Sequence, residues 1–317
     1  MLPSKHSQTS STKKNHKTGI RDLIVVKNLS KKFGDKTVID DISFSIKKGS
    51  ICGLIGRNGA GKTTLMKIMC GLLDEDSGYV HIDGHQTSKE KYSIRSKIGY
   101  VPQKSALYFE LSGLENLQYF GTILGLSDKG LEADIKRVIK IVNLEEHIDT
   151  IVSKYSGGMQ KRLNLAIGLL GKPKILFLDE PTVGVDPQTK KIILSALEAI
   201  VKEKDITIIY TSHYLEEVEK ICNELIVLDE GKILAKGNTS ELLKDFKIAE
   251  IKLAKPLTLK KSKWDQQEQI QITAANLNTE LPKLIENLRD NKIEEILYGG
   301  GNSLEQFLEN LQKERLC

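Results

Sequence analysis

Residues 56–63 read GRNGAGKT, which fits the phosphate-binding pattern G-x-x-x-x-G-K-[ST]. Its glycines let backbone N–H groups crowd around a triphosphate, while Lys62 offers a positive charge and Thr63 a hydroxyl for magnesium. An apolar run over 50–54 predicts a strand before the loop, and 63–70 predicts a helix after it. The loop then ends at a helix N-terminus, whose partial positive charge favours an anion. The predicted phosphate ligands are Gly56, Asn58, Gly59, Ala60, Gly61, Lys62, Thr63 and Thr64.

A second chemical signal is the acid pair Asp179-Glu180, which follows the apolar run 175–178. In parallel sheets, ligands lie at the carboxyl ends of strands. Asp179 is therefore predicted to hold magnesium, often through water, and Glu180 to polarise the water that attacks the outer phosphate. Acids that merely cap a following helix are the alternative, which the preceding phosphate loop disfavours.

Two further polar residues follow predicted strands in the same way. Gln103 comes after the strand 98–101, and its amide oxygen could bind magnesium or a magnesium-bound water. His213 comes after the strand 206–210, and its imidazole could donate a hydrogen bond to the γ-phosphate. Taken alone, His213 is more often structural, and Gln103 carries no signal.

The segment Ser156-Gly157-Gly158 predicts a second anion site, because glycines at a helix start leave N–H groups uncovered. An ordinary serine cap followed by glycines is the alternative. One chain with two phosphate half-sites makes sense if two copies meet head to tail and each completes the other's site.

Together these segments resemble the nucleotide-binding subunit of ATP-binding cassette transporters over roughly residues 23–240. The resemblance rests on 56–63, Gln103, 156–160, Asp179-Glu180, 183–186 and His213, which stand in the order typical of that family. Tyr155 and Met159 depart from the family's usual Leu and Gln, and Arg57 from a common Pro. The segment 181–187, PTVGVDP, looks like the branch that drives drug, antibiotic and polysaccharide exporters.

The resemblance implies two ATP molecules, with magnesium, sandwiched between two copies of the chain. Phe33 would stack on adenine, Ser156 and Gly158 would reach the γ-phosphate across the interface, and Asp186 would couple the two sites. The implied partners are a twin or related ATPase subunit and a separate membrane permease, at the cytoplasmic face of the membrane. The residues implied to act in hydrolysis are Lys62, Gln103, Glu180 and His213.

Rival functions fit less well. An ATP-driven switch of translation or DNA repair is the main alternative, but such proteins usually carry two cassettes or a long coiled-coil insert. A P-loop kinase or GTPase explains neither 156–160 nor His213. A net charge of +5 and 5% aromatic residues do not indicate a nucleic-acid partner.

Composition limits the remaining possibilities. The chain of 317 residues is long enough for two domains. No run approaches the roughly 18 apolar residues of a membrane span, and the N-terminus lacks the apolar segment of a signal peptide. The four cysteines form no C-x-x-C pair, so small core residues are expected rather than disulfides or a zinc site.

The chain is predicted to be an α/β protein, a P-loop NTPase core with a mostly parallel sheet. An antiparallel β subdomain and a helical insert over about 105–172 belong to a domain at 21–240. A small α+β domain is expected at 245–317, in the order β-β-α-β-α. The Lys- and Ser-rich stretch 1–20 predicts a disordered basic tail, with weak contact to anionic lipid as the alternative.

Element positions follow from apolar runs and turn residues. Helices are expected from 113, over 131–142, after 156, over 281–288 and over 303–313. The remaining predicted strands lie at 23–26, 42–46, 79–82, 225–228, 233–235, 248–253, 269–273 and 293–298.

Overall fold

The computed structural model describes residues 22–202, 206–244, 248–253, 269–273 and 293–298, together with Leu308. The predicted tail 1–20 and the predicted helix 281–288 lie outside these residues. Of the predicted helix 303–313, only Leu308 is described; it is helical and buried in the main hydrophobic cluster. The predicted domain limits remain predictions.

Three sheets contain the described strands. The strands are β1 (Asp22–Phe33), β2 (Lys36–Lys47), β3 (Ile51–Ile55), β4 (Ser77–Ile82), β5 (His85–Gln86), β6 (Ile98–Val101), β7 (Ile175–Leu178), β8 (Thr207–Thr211), β9 (Glu224–Asp229), β10 (Lys232–Asn238), β11 (Ile248–Leu253), β12 (Gln269–Thr273) and β13 (Ile293–Tyr298).

The described helices lie between these strands. They are α1 (Lys62–Met69), α2 (Lys91–Arg95), α3 (Gly113–Ile123), α4 (Asp128–Val142), α5 (Gly157–Leu169), α6 (Pro187–Lys202), α7 (Leu215–Ile221) and α8 (Thr239–Lys244). None of them combines the length and the apolar character that a membrane crossing needs.

The central sheet has six strands in the order β10-β9-β3-β8-β7-β6, and only the β9–β10 hairpin is antiparallel. Strands β3, β7 and β8 are buried along their whole length. Alternate residues of β3 enter different cores: Ile51 and Ile55 pack in one cluster, and Cys52 and Leu54 in the other. These strands are therefore covered on both faces, which is why the sequence shows long apolar runs there.

A second, antiparallel sheet has the order β2-β1-β4-β5, which confirms the predicted antiparallel β layer. Strands β1 and β2 are far longer than the predicted 23–26 and 42–46. Their polar halves are held by pairing, with Lys31 opposite Ile39 and Ser30 opposite Ser77. Apolar alternation does not reveal such pairing, because Ser30, Lys31 and Ser77 are polar residues.

The helical segment between β6 and β7 consists mainly of α3, α4 and α5. The predicted capping box starts α3: Glu115 N–H donates to Ser112 Oγ at 3.1 Å, and Ser112 N–H donates to the Glu115 carboxylate at 2.7 Å. Helix α5 lies directly against β6, because an added Cβ at Gly99 would stand 2.0 Å from the Gly168 carbonyl oxygen. This close approach places α5 beside the strand that leads to Gln103.

The third sheet is antiparallel, with the order β12-β11-β13. Its strands begin and end at the predicted residues. Cys52 and Cys222 are buried and Cys70 is half-buried, and all three are free thiols, as expected from their spacing.

Candidate nucleotide site

The predicted phosphate loop lies between the end of β3 and the start of α1. Two of its glycines cannot be replaced without a clash. An added Cβ at Gly56 would stand 2.0 Å from the Leu228 carbonyl oxygen, and one at Gly61 would stand 2.7 Å from that of Val38. Gly61 also has a φ of 104°, which favours glycine. The backbones of strands β2 and β9 thus contact the loop and restrict its conformation.

Lys62 is the first residue of α1 and is buried. Its Nζ donates to the carbonyl oxygens of Gly56, at 2.8 Å, and Arg57, at 3.0 Å. Burial lowers the pKa of Lys62, and the negative charges of Glu180 and Asp179 oppose that shift. Lys62 is thus a buried cation that is hydrogen-bonded to two carbonyl oxygens of the phosphate loop.

The carboxylate of Asp179 lies between two threonines. Thr63 Oγ1 donates to Asp179 Oδ2 at 3.1 Å, and Thr211 Oγ1 donates to Asp179 Oδ1 at 3.1 Å. The backbone N–H of Glu180 donates to the same Thr211 oxygen at 2.8 Å. Asp179 therefore connects the phosphate loop with the ends of the neighbouring strands β7 and β8.

Glu180 turns the chain at the end of β7 with a φ of 49°, which is uncommon for a residue other than glycine. Gln103 Nε2 donates to Glu180 Oε2 at 2.5 Å, and His213 Nε2 contacts Glu180 Oε1. Lys161 of α5 donates through Nζ to the Gln103 carbonyl oxygen. Both oxygens of the Glu180 carboxylate are thus held by side chains that follow the neighbouring strands β6 and β8.

These groups border an open cleft of about 340 Å³. Eight of its ten lining residues were predicted to bind nucleotide or magnesium, or to act in hydrolysis, and the other two, on β2, were not. The lining residues are Lys36, Val38, Asn58, Gly59, Gly61, Lys62, Thr63, Thr64, Gln103 and Glu180.

Phe33, the predicted adenine contact, ends β1 and pairs with Lys36 of the cleft. Its side chain is 51% exposed, and Lys31 Nζ lies 5.7 Å from the ring centroid. The backbone of Phe33 therefore pairs with a residue that lines the cleft, and its ring is exposed.

The second predicted anion site starts α5. Ser156 caps the helix, because its Oγ accepts from Met159 N–H at 3.2 Å. Gly157 faces open space, whereas an added Cβ at Gly158 would stand 2.5 Å from Thr189 Oγ1. Thr189 in turn donates to Asp186 through N–H, at 2.9 Å, and through Oγ1, at 2.7 Å. Gly158 and Asp186 are thus joined through Thr189.

Tyr155, one of the departures from the family pattern, is accommodated by local packing. The side chain is buried, and its hydroxyl donates to the His147 carbonyl oxygen at 2.7 Å. Gly113 leaves the space that the hydroxyl needs, since an added Cβ there would stand 2.3 Å from it. The replacement therefore leaves Ser156, Gly157 and Gly158 at the start of the helix.

A magnesium ion suits the oxygens at the end of β7. Thr63 Oγ1 and Asp179 Oδ2 are oxygen donors 3.1 Å apart, the type of ligand that Mg²⁺ prefers. Among the described residues, no group of three His, Cys, Asp or Glu side chains could hold a metal alone.

The phosphate loop, the acid pair at the strand end and the mostly parallel sheet define a P-loop nucleotide hydrolase. Comparison with known proteins gives the family. A family model described as "ABC transporter" matches residues 39–183. The linearmycin resistance ATP-binding protein LnrL of Bacillus subtilis is 40% identical over 220 residues, covering 69% of this chain and 70% of LnrL.

Other relatives give the same result. A Nod factor export ATP-binding protein I of Ralstonia nicotianae is 36% identical, over 71% of this chain and 70% of its own length. The daunorubicin resistance ATP-binding protein DrrA3 of Streptomyces coeruleorubidus is 36% identical, with 69% of each chain covered. The chain belongs to the ABC transporter family of ATP-binding proteins and is an ATPase of that family.

Solved structures confirm the fold class. CbiO1 from Clostridium perfringens, part of the ABC transporter complex cbiONQ, has a TM-score of 0.65 and 28% identity, over 70% of this chain and 90% of its own. The dimeric, post-hydrolysis cassette MJ0796 bound to ADP and Pi has a TM-score of 0.63 and 26% identity. The match covers 68% of this chain and 98% of MJ0796.

The glycines at the start of α5 differ in what they contact, so their alanine variants should differ in stability. We expect Gly158→Ala to lower the free energy of unfolding by about 1–3 kcal/mol, because the new Cβ displaces Thr189. Gly157→Ala is the matched control and should leave it unchanged or raise it by about 0.5–1 kcal/mol. Urea unfolding measures both, and equal effects would show that Thr189 does not restrict position 158.

Proposed function

We propose that this chain is the ATP-hydrolysing subunit of an exporter, acting at the cytoplasmic face of a membrane through a separate permease. Three curated relatives support export, since their names concern linearmycin resistance, daunorubicin resistance and Nod factor export. The observation that carries the catalytic part is the Glu180 carboxylate, held by Gln103 and His213 at the border of the cleft.

In this proposal Glu180 is the general base. Its carboxylate accepts the proton of the attacking water, while His213 and Gln103 hold its two oxygens in place. Lys62 moves from the loop carbonyls to the outer phosphates and stabilises the charge that develops there. Thr63 and Asp179 hold magnesium, which neutralises phosphate charge when bound, and the ring of Phe33 stacks on adenine.

The roles of Glu180 and Lys62 predict different defects. Glu180→Gln should bind ATP normally but hydrolyse it on the order of a hundredfold more slowly, because the amide cannot accept the proton. Lys62→Ala should lose ATP binding as well, since it removes the buried cation. Binding of a fluorescent ATP analogue and phosphate release measure the two effects. Wild-type turnover by Glu180→Gln would exclude this base.

The complete site takes residues from two copies. The ten residues that line the cleft do not include Ser156, Gly157 or Gly158, which form a helix N-terminus elsewhere on the described surface. We propose that this segment of one copy binds the γ-phosphate held in the cleft of its twin. Thr189 contacts both Gly158 and Asp186, so Asp186 lies close to that segment. In this proposal Asp186 therefore also lies at the shared interface.

Mixing two inactive variants tests this arrangement. Lys62→Ala removes one half of the site, and Ser156→Asp keeps the helix cap but sets a negative charge against the phosphate. Neither homodimer has an intact site. A mixed dimer pairs the intact Lys62 of one copy with the intact Ser156 of the other, so mixing should restore part of the hydrolysis. No recovery, despite mixed dimers detected by two affinity tags, would refute a shared site.

The permease contact is proposed on the segment that follows Gln103 and includes α3. This segment exposes several large apolar side chains, and exposed apolar clusters mark interaction sites. Because Gln103 touches Glu180, a partner seated here would be linked directly to the hydrolytic site. The exposed side chains are Tyr108, Phe109, Tyr119, Ile123 and Leu124.

Ile123→Asp should reduce co-purification with the membrane partner at least tenfold, since it sets a charge in an apolar contact. Its unstimulated ATPase activity should stay unchanged. Leu72→Asp is the matched control, because Leu72 is 60% and Ile123 64% exposed. Equal recovery of a membrane protein with both variants would reject this surface. If no membrane protein co-purifies with the wild type, a nucleotide-driven switch is favoured instead.

A further inference from the structure

Glu217 of α7 is a buried carboxylate outside the cleft, with a relative exposure of 3%. Its Oε2 accepts three hydroxyl hydrogen bonds: from Thr182 Oγ1 at 2.9 Å, Tyr210 OH at 2.6 Å and Ser212 Oγ at 2.7 Å. Three hydroxyls, one from the segment after Glu180 and two from the end of β8 and the residue after it, therefore meet on one oxygen.

The other oxygen pairs with a cation. Lys190 Nζ lies 2.7 Å from Glu217 Oε1 and 4.2 Å from the centroid of the Tyr214 ring. Lys190 belongs to α6, the helix that begins directly after Asp186. Burial raises the pKa of Glu217, but the hydrogen bonds from Lys190 and from the hydroxyls outweigh it and hold the pKa below its ordinary value. Glu217 is therefore ionised at neutral pH.

The donors to Glu217 flank the two groups proposed to act on ATP. Thr182 lies two residues after Glu180. Ser212 directly precedes His213, and its Oγ also accepts from Tyr214 N–H at 2.9 Å, so the residues on both sides of His213 are held. The backbone at both ends of the Glu180–His213 contact is thus fixed by one carboxylate.

We infer that Glu217 is a positioning residue for ATP hydrolysis: it sets the placement of Glu180 and His213 and connects both to helix α6. This inference rests on the proposed roles of Glu180 and His213. A shift of α6 moves Lys190, and the Lys190–Glu217 pair carries that shift to the loop of His213. Glu217 itself touches neither the cleft nor the reacting atoms.

Glu217→Gln tests the inference, because the amide keeps the shape of the side chain but loses the charge. We expect kcat to fall on the order of tenfold or more, since small displacements of catalytic groups cost large factors. The dissociation constant for ATP should change less than about twofold, because the phosphate loop is untouched. Glu216→Gln is the matched control: Glu216 is exposed on the same short helix, and its variant should keep wild-type kcat.

A second pair of variants covers the case in which Glu217→Gln does not fold. Lys190→Met should lower kcat in the same way, whereas Lys190→Arg keeps the ion pair and should restore it. The kcat of the double variant Glu217→Gln/Lys190→Met should be no lower than that of the less active single variant, because both substitutions remove the same ion pair.

The outcomes separate this inference from the proposed function. If Glu180→Gln is inactive while Glu217→Gln and Lys190→Met turn over normally, positioning by Glu217 is wrong and the proposed base stands. If kcat and ATP affinity fall together, Glu217 is a general stability element and the inference is wrong. If Glu180→Gln itself hydrolyses ATP at the wild-type rate, the proposed function fails first.

Discussion

The hydroxyl of Thr211 is the contact on which the arrangement of the site depends. It donates to the Asp179 carboxylate and accepts from the Glu180 N–H, so it joins the end of β8 to both acids at the end of β7. Asp179 then reaches the phosphate loop through Thr63. Because the register of three parallel strands sets these positions, the acids and the phosphate loop are aligned before any nucleotide binds.

The parts that could be predicted from sequence are those with local signals. Strands β6 and β7 begin and end as predicted; β7 is apolar and buried at every position, and β6, at the sheet edge, is bounded by the turn signal of Pro102. The phosphate loop could be predicted for a different reason. Gly56 and Gly61 are fixed by contacts that only glycine permits, so the residue type itself carries the information. The capping box of α3 is likewise a local pattern.

The missed parts depend on contacts between distant segments. Lys36 and Val38 line the cleft because the long β1–β2 hairpin turns next to the phosphate loop, yet their residue types carry no signal. Glu217 looks like one of many helix surface acids in the sequence, and only the fold brings Thr182 and Lys190 to it. A carboxylate of this kind cannot be found from spacing alone.

The two ends of the proposed shared nucleotide site are also connected within one copy. Helix α5, which begins at the Ser156 segment, is pressed against β6 at Gly99 and reaches the Gln103 carbonyl oxygen through Lys161. Gln103 contacts Glu180, the base proposed for the nucleotide in this copy's own cleft. In the proposed two-copy site, the segment that binds the twin's γ-phosphate would thus be linked, through Lys161 and Gln103, to the proposed base of its own copy's cleft.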